Sequence, residues 1–116
     1  MARERALSEG EIRERLRGLG DRWRFEGGAL RRTYQTDGWR GSLLVANAIG
    51  FLCEAADHHA NLLVTWPRVE VALSTHSASG ITDKDFEVAA LIETQIRWKP
   101  PAGSSLQGPA TPFVRE

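Results

Sequence analysis

Between residues 68 and 75 the chain alternates without a break, setting Val69, Val71 and Leu73 against Glu70, Ala72 and Ser74. Successive side chains of an extended chain point to opposite faces, so this stretch buries one face and wets the other. A half-buried strand needs neighbouring strands and a layer over its apolar side. An all-helical fold is therefore excluded. The neighbours are legible. Residues 62–66 read as a strand, and Pro67 fits the turn after it because proline cannot donate to a ladder. Trp23 and Phe25 alternate with Arg22 and Arg24, the period of another half-buried strand. Gly27-Gly28 then tolerates the positive φ angles of a tight hairpin turn, and 29–35 returns with Leu30 and Tyr34 inward.

Helices cover the apolar side. Ser8 followed by Glu11 fits a capping box, and Ile12, Leu16 and Leu19 recur at helical spacing up to Gly20. Residues 39 to about 57 read as the longest helix, with Leu44, Ala48, Phe51, Leu52 and Ala55 on one broad face. Gly50 inside it lowers helix propensity and permits close packing. Thr82 with Asp85 offers a second capping signal, opening a helix that carries Phe86, Ala89, Ala90 and Ile92. The order α-β-β-α-β-β-α predicts an α+β fold, an antiparallel sheet with helices packed on one face. Residues 1–7 form a short charged arm and 8–98 the domain. In 99–116, Pro100, Pro101, Gly103, Ser104, Ser105, Gly108, Pro109 and Pro112 leave little to bury. That tail is expected to be disordered or to dock only on a partner.

The chain has 116 residues, enough for one domain with a core of its own. Lys plus Arg and Asp plus Glu each number 15, a balance that argues against a general nucleic-acid binder. The arginines crowding the front, Arg13, Arg15, Arg17, Arg22 and Arg24, read as solvated surface rather than a phosphate site. Cys53 is the only cysteine, so no intrachain disulfide forms and a reducing cytoplasm is the expected compartment. Its place in an apolar helical stretch makes it a buried, inert thiol. The first ten residues hold no apolar run of a secretory signal, and no stretch reaches the ~20 apolar residues of a membrane span.

All three histidines, His58, His59 and His76, fall in one region. Histidine exchanges protons near neutral pH better than any other side chain. His58 and His59 sit where a helix gives way to a strand, and His76 just past the end of the next strand. If those strands pair as a hairpin, the imidazoles converge at one edge of the sheet. Glu54 lies one helical turn before His58, placed to orient its ring or bind a polar ligand. Each residue also has a plainer reading: Glu54 as solvated helix face, Asp85 as a helix cap, Trp66 as core or interface. Adjacent histidines project apart, and the chain lacks HExxH, a Cys pair, GxGxxG and a Walker pattern, so metal and nucleotide sites are not expected.

The spacing Glu54-Ala-Ala-Asp57-His58-His59-Ala60, then Trp66, Ser74-Thr75-His76 and Asp85, resembles the active-site segment of the pterin-4a-carbinolamine dehydratases. The resemblance spans roughly residues 8–95. It implies a four-stranded antiparallel sheet with helices on one face, assembled as homodimers or homotetramers. It implies dehydration of 4a-hydroxytetrahydropterin to quinonoid dihydropterin, in recycling of a tetrahydrobiopterin-type cofactor, with no metal, flavin or nucleotide. His58 and His76 match the acid/base histidines, His59 the third active-site histidine and Glu54 the supporting carboxylate. Asp57, Ala60, Thr75, Ser77, Ala78, Trp66 and Asp85 match positions around the pterin. Ala60 stands where the family usually has proline. The resemblance leaves a second possibility, a non-catalytic assembly factor such as those serving Rubisco, with the tail as its contact, and a third, a pterin-binding module without turnover.

Overall fold

Both capping boxes close in the computed structural model, which describes residues 4–116. The Ser8 hydroxyl accepts from the Glu11 amide at 3.2 Å, and the Glu11 carboxylate accepts from the Ser8 amide at 2.9 Å. They start α1 (Glu9–Leu19). Thr82 and Asp85 do the same for α3 (Asp83–Ile96). Between them lie β1 (Arg24–Glu26), β2 (Ala29–Gln35), α2 (Trp39–Ala56), β3 (Asn61–Thr65) and β4 (Arg68–Leu73). Gly27 and Gly28 have φ of 59° and 75°. Two successive positive φ angles are what a two-residue hairpin requires, and Glu26 pairs directly with Ala29 across it. Of the arm expected over 1–7, residues 1–3 lie outside the described residues.

The sheet is antiparallel throughout, in the order β1-β2-β4-β3. Leu30 and Tyr34 from β2, with Val69, Val71 and Leu73 from β4, are buried under the helices. From the other side come Ile12, Val45, Ile49, Cys53, Phe86, Ala89, Ile92 and Ile96. The α+β architecture read from the element order is the architecture found. No helix among the described residues is long and apolar enough to cross a membrane.

On α2 the expected face is the wrong one. Val45, Ile49 and Cys53 pack on the sheet, while Leu44 is 45% and Phe51 72% exposed. Ala48 and Ala55 are also exposed and Leu52 is half-buried. The helix is apolar around most of its circumference, so periodicity alone cannot tell the stripe facing the sheet from a second stripe facing outward. On α3 a smaller correction applies: Ala90 is exposed and Val88 takes its place in the core.

The tail departs from its composition as well. Val114 is buried and bridges Thr36, and Glu116 reaches the interior. Proline and glycine deny residues 99–110 regular structure, but a short extended segment with one apolar and one charged anchor docks regardless.

Glu116 joins an ionic network under α3. The Glu93 carboxylate accepts from Arg32 Nε at 2.8 Å, the Tyr34 hydroxyl at 2.7 Å and Trp23 Nε1 at 2.9 Å. The Arg32 guanidinium also lies 3.9 Å from the centre of the Tyr34 ring. Burial opposes the charge on Glu93, but the hydrogen bonds from Arg32, Tyr34 and Trp23 outweigh it and hold the carboxyl at about 2, against an ordinary 4.5. The unfolded chain therefore takes up this proton at higher pH than the folded one. The stabilisation is complete above pH 4.5 and is lost as pH falls toward 2. Acid unfolding followed by circular dichroism should show that component in the parent protein. It should be missing in Glu93→Gln, which should be less stable already at neutral pH.

Candidate active site

The Asp85 carboxylate is fully buried and ties His58 to Thr75. Its Oδ2 accepts from the Thr82 amide at 3.0 Å and from the Thr75 hydroxyl at 2.7 Å. The single Thr75 proton is thereby committed, so at 2.8 Å the Thr82 hydroxyl donates to Thr75 Oγ1. Thr82 Oγ1 in turn accepts from the Lys84 amide. The other carboxylate oxygen, Oδ1, lies 2.6 Å from His58 Nε2. A carboxylate accepts, so His58 donates its Nε2 proton, and Nδ1 is left as the ring's lone-pair nitrogen. The helix cap expected of Asp85 is real, and the same carboxylate also orients a histidine.

The chain reaches this point through a corner without proline. Asp57 takes the left-handed conformation, φ 54°, at the end of α2. The His58 amide donates back to the Cys53 carbonyl at 3.0 Å and the Asp57 amide to Glu54 at 3.1 Å, the six-to-one closure of a Schellman turn. Ala60 packs on the core. Burial pushes the Cys53 thiol up from its usual range and keeps it protonated, a core residue as expected.

Glu54 does not support His58. Its Oε1 meets His59 Nε2 at 2.7 Å, with both side chains mostly exposed. The one-turn spacing from Glu54 to His58 assumed a continuous helix, and the left-handed residue at 57 breaks it. An exposed pair of this kind contributes little stability.

The register carries the second half of the site. Asn61 pairs with Ala72, which brings 58–60 alongside 73–75. Thr75 is buried, and His76 follows it, exposed, at the start of a one-turn 3-10 helix (His76–Ala78). The Ala78 amide donates to the Thr75 carbonyl at 3.2 Å. Asp85 thus holds His58 on one oxygen and the residue before His76 on the other. Beside His76 opens a cleft of about 470 Å³, lined among others by Phe25, Gly28, Ser74, Thr75 and Ile81.

Two groups near the histidines carry no sequence signal. Glu4 accepts from Ser77 and from Lys84. The Lys84 bond, then the Ser77 bond, hold its carboxyl below the ordinary range. Asp57 and Asp85 also surround Lys84. Trp66 stands apart. It occupies the β3–β4 turn, 67% exposed, at the opposite end of the hairpin from the histidines. Five strand residues intervene, roughly 17 Å. A turn tryptophan satisfies the spacing without lying beside the histidines of its own chain. Among the described residues no group of His, Cys, Asp and Glu is arranged to hold a metal ion.

Residues 5–95 match the family model described as pterin 4 alpha carbinolamine dehydratase. The chain is 39% identical over 90 residues to a Roseiflexus castenholzii protein named "Putative pterin-4-alpha-carbinolamine dehydratase", covering 78% of this chain and 96% of that one. To the Aquifex aeolicus protein of the same name it is 37% identical over 93 residues, covering 80% and 93%. A solved structure, the transcriptional coactivator/pterin dehydratase from Brucella melitensis, superposes with a TM-score of 0.72 at 29% identity, covering 78% of this chain and 97% of that one.

Removing the Asp85 carboxylate should unfasten a helix cap and two buried hydrogen bonds together. Asp85→Ala is expected to lose about 2–4 kcal/mol in urea unfolding, the sum of a cap and such bonds. Glu54→Ala, which breaks only the exposed pair, should stay within about 0.5 kcal/mol of the parent.

Proposed function

This chain belongs to the pterin-4a-carbinolamine dehydratase family, and from that premise we propose that it dehydrates 4a-hydroxytetrahydropterin to quinonoid dihydropterin, in recycling of a tetrahydrobiopterin-type cofactor. The observation that carries the proposal is the His58–Asp85 pair, an imidazole 11% exposed and oriented by a fully buried carboxylate. The reaction breaks the C4a–O bond, forms the N5=C4a double bond and releases water. One proton must reach the departing hydroxyl and one must leave N5. His58 through Nδ1, with Nε2 held by Asp85, and His76 at the cleft are the acid and base in this reading. His59, paired with Glu54, is the third imidazole. Thr75 is positioning, and Asp57, Ala60, Ser77 and Ala78 border the pterin. Each proton transfer from a positioned side chain is worth typically ~10²–10⁴-fold.

Stopped-flow absorbance with a 4a-hydroxypterin tests this. The parent should accelerate dehydration over buffer, and His58→Gln, which keeps a donor but cannot exchange the proton, should lose at least ~10²-fold in kcat. Its stability should change by no more than about 1 kcal/mol. A folded parent protein that leaves the buffer rate unchanged would sink the proposal in favour of a binding module.

The outward stripe of α2, with Leu44 and Phe51, supports assembly into a homo-oligomer. Phe51→Asp should shift the protein to smaller species in sedimentation velocity while leaving its circular dichroism unchanged. No observation at the tail favours an assembly-factor role, since its last described residues are engaged within the chain.

A further inference from the structure

Residues 111–116 lie beyond the stretch that matches the family model, yet they make a dense and directional set of contacts. The segment runs antiparallel to the end of β2. Val114 bridges Thr36, the Arg115 amide donates to the Gln35 carbonyl at 2.8 Å, and the Asp37 amide donates to Phe113 at 3.1 Å. Arg40 donates to the Thr111 carbonyl at 3.4 Å. These are the main-chain bonds by which a peptide adds to a sheet edge.

The anchor is ionic. Arg32 Nη1 and Nη2 donate to the two Glu116 oxygens at 2.8 and 2.7 Å. The two side chains are 1% and 2% exposed. Arg22 at 3.7 Å and Arg97 at 3.8 Å form a half-exposed rim around the same carboxylate. Glu93 satisfies only one side of the Arg32 guanidinium, so without Glu116 buried N–H groups would face no acceptor. Gly41 completes the dock. A Cβ there would sit 2.6 Å from the Phe113 carbonyl oxygen and would also strike Asp37 Oδ1. Helix α2 leaves room for the tail's backbone at this position.

We propose that residues 111–116 are a clasp acting in cis: an extended self-peptide whose Glu116 fills a carboxylate receptor built from Arg32, Arg22 and Arg97. A partner seeking this surface must present its own carboxylate and displace the clasp. The dock lies at the Gln35–Arg68 end of the sheet, away from the histidines, so the proposal stands apart from the dehydration reading.

Hydrogen exchange at the Arg115 amide tests the clasp in the full chain. In the parent this amide should be protected. Glu116→Gln, which removes the charge, and Gly41→Ala, which obstructs the backbone, should each speed its exchange at least tenfold. The Val71 amide in β4 should be unaffected, and circular dichroism should confirm that both variants fold. Exchange of Arg115 at the free-peptide rate in the parent would overturn the proposal, as would protection unchanged in Glu116→Gln. Protection that disappears when the parent is diluted to monomer would also overturn it, since the tail would then dock on a second copy.

Discussion

Asp85 is a charge that has been taken out of water, and burying a carboxylate is tolerable only when hydrogen bonds replace the water it loses. Three donors from three places in the chain meet that need: the first turn of α3, the end of β4 and the corner after α2. None can drift without leaving the carboxylate short of a partner. The position of the histidine corner relative to the strand end is therefore an electrostatic requirement of folding. The site's geometry comes with the fold, before any ligand arrives.

A second carboxylate, mostly buried, stands further along α3. Glu93 gathers Arg32, Tyr34 and Trp23 as Asp85 gathers the threonines and His58. Between the two knots the interior is apolar, with Leu30, Val71 and Ile49 fully or almost fully buried. The knots differ in what closes them. A largely buried histidine completes one, a proton-exchanging group that keeps only slight contact with solvent. The other is completed by a glutamate from the chain itself and is sealed. Buried ion pairs stabilise little compared with apolar packing of the same volume, so such knots serve best to fix which elements meet.

Much of this was readable in the residues. Alternation placed β4, Gly27-Gly28 placed the first hairpin and both capping boxes placed helix starts, because each rests on contacts a few residues long. The convergence of His58 and His76 on one region needed only the hairpin. What failed depended on partners distant in sequence. The α2 face could not be chosen because two stripes are apolar, and only the sheet decides between them. Glu54 was assigned to the wrong histidine because a helix was extended one residue past its left-handed cap. Glu4 and Lys84 are ordinary charges until α3 and the arm are brought together. Glu116 has no local signature, and its meaning lies in an arginine 84 positions earlier.

The corner at Asp57–Ala60 has a consequence for the chain before it folds. Proline at 60 would restrict φ in the unfolded ensemble as well as in the native state, so part of the corner's order would exist in advance. Here the bend is held by the backbone bonds from His58 and Asp57 to α2, which exist only once the helix has formed. The unfolded chain keeps freedom that proline would have removed, typically about 0.4–1 kcal/mol of entropy to be overcome on folding. The ordering of this histidine corner is thus tied to helix formation, and α2 must be complete before His58 has a fixed direction in which to point.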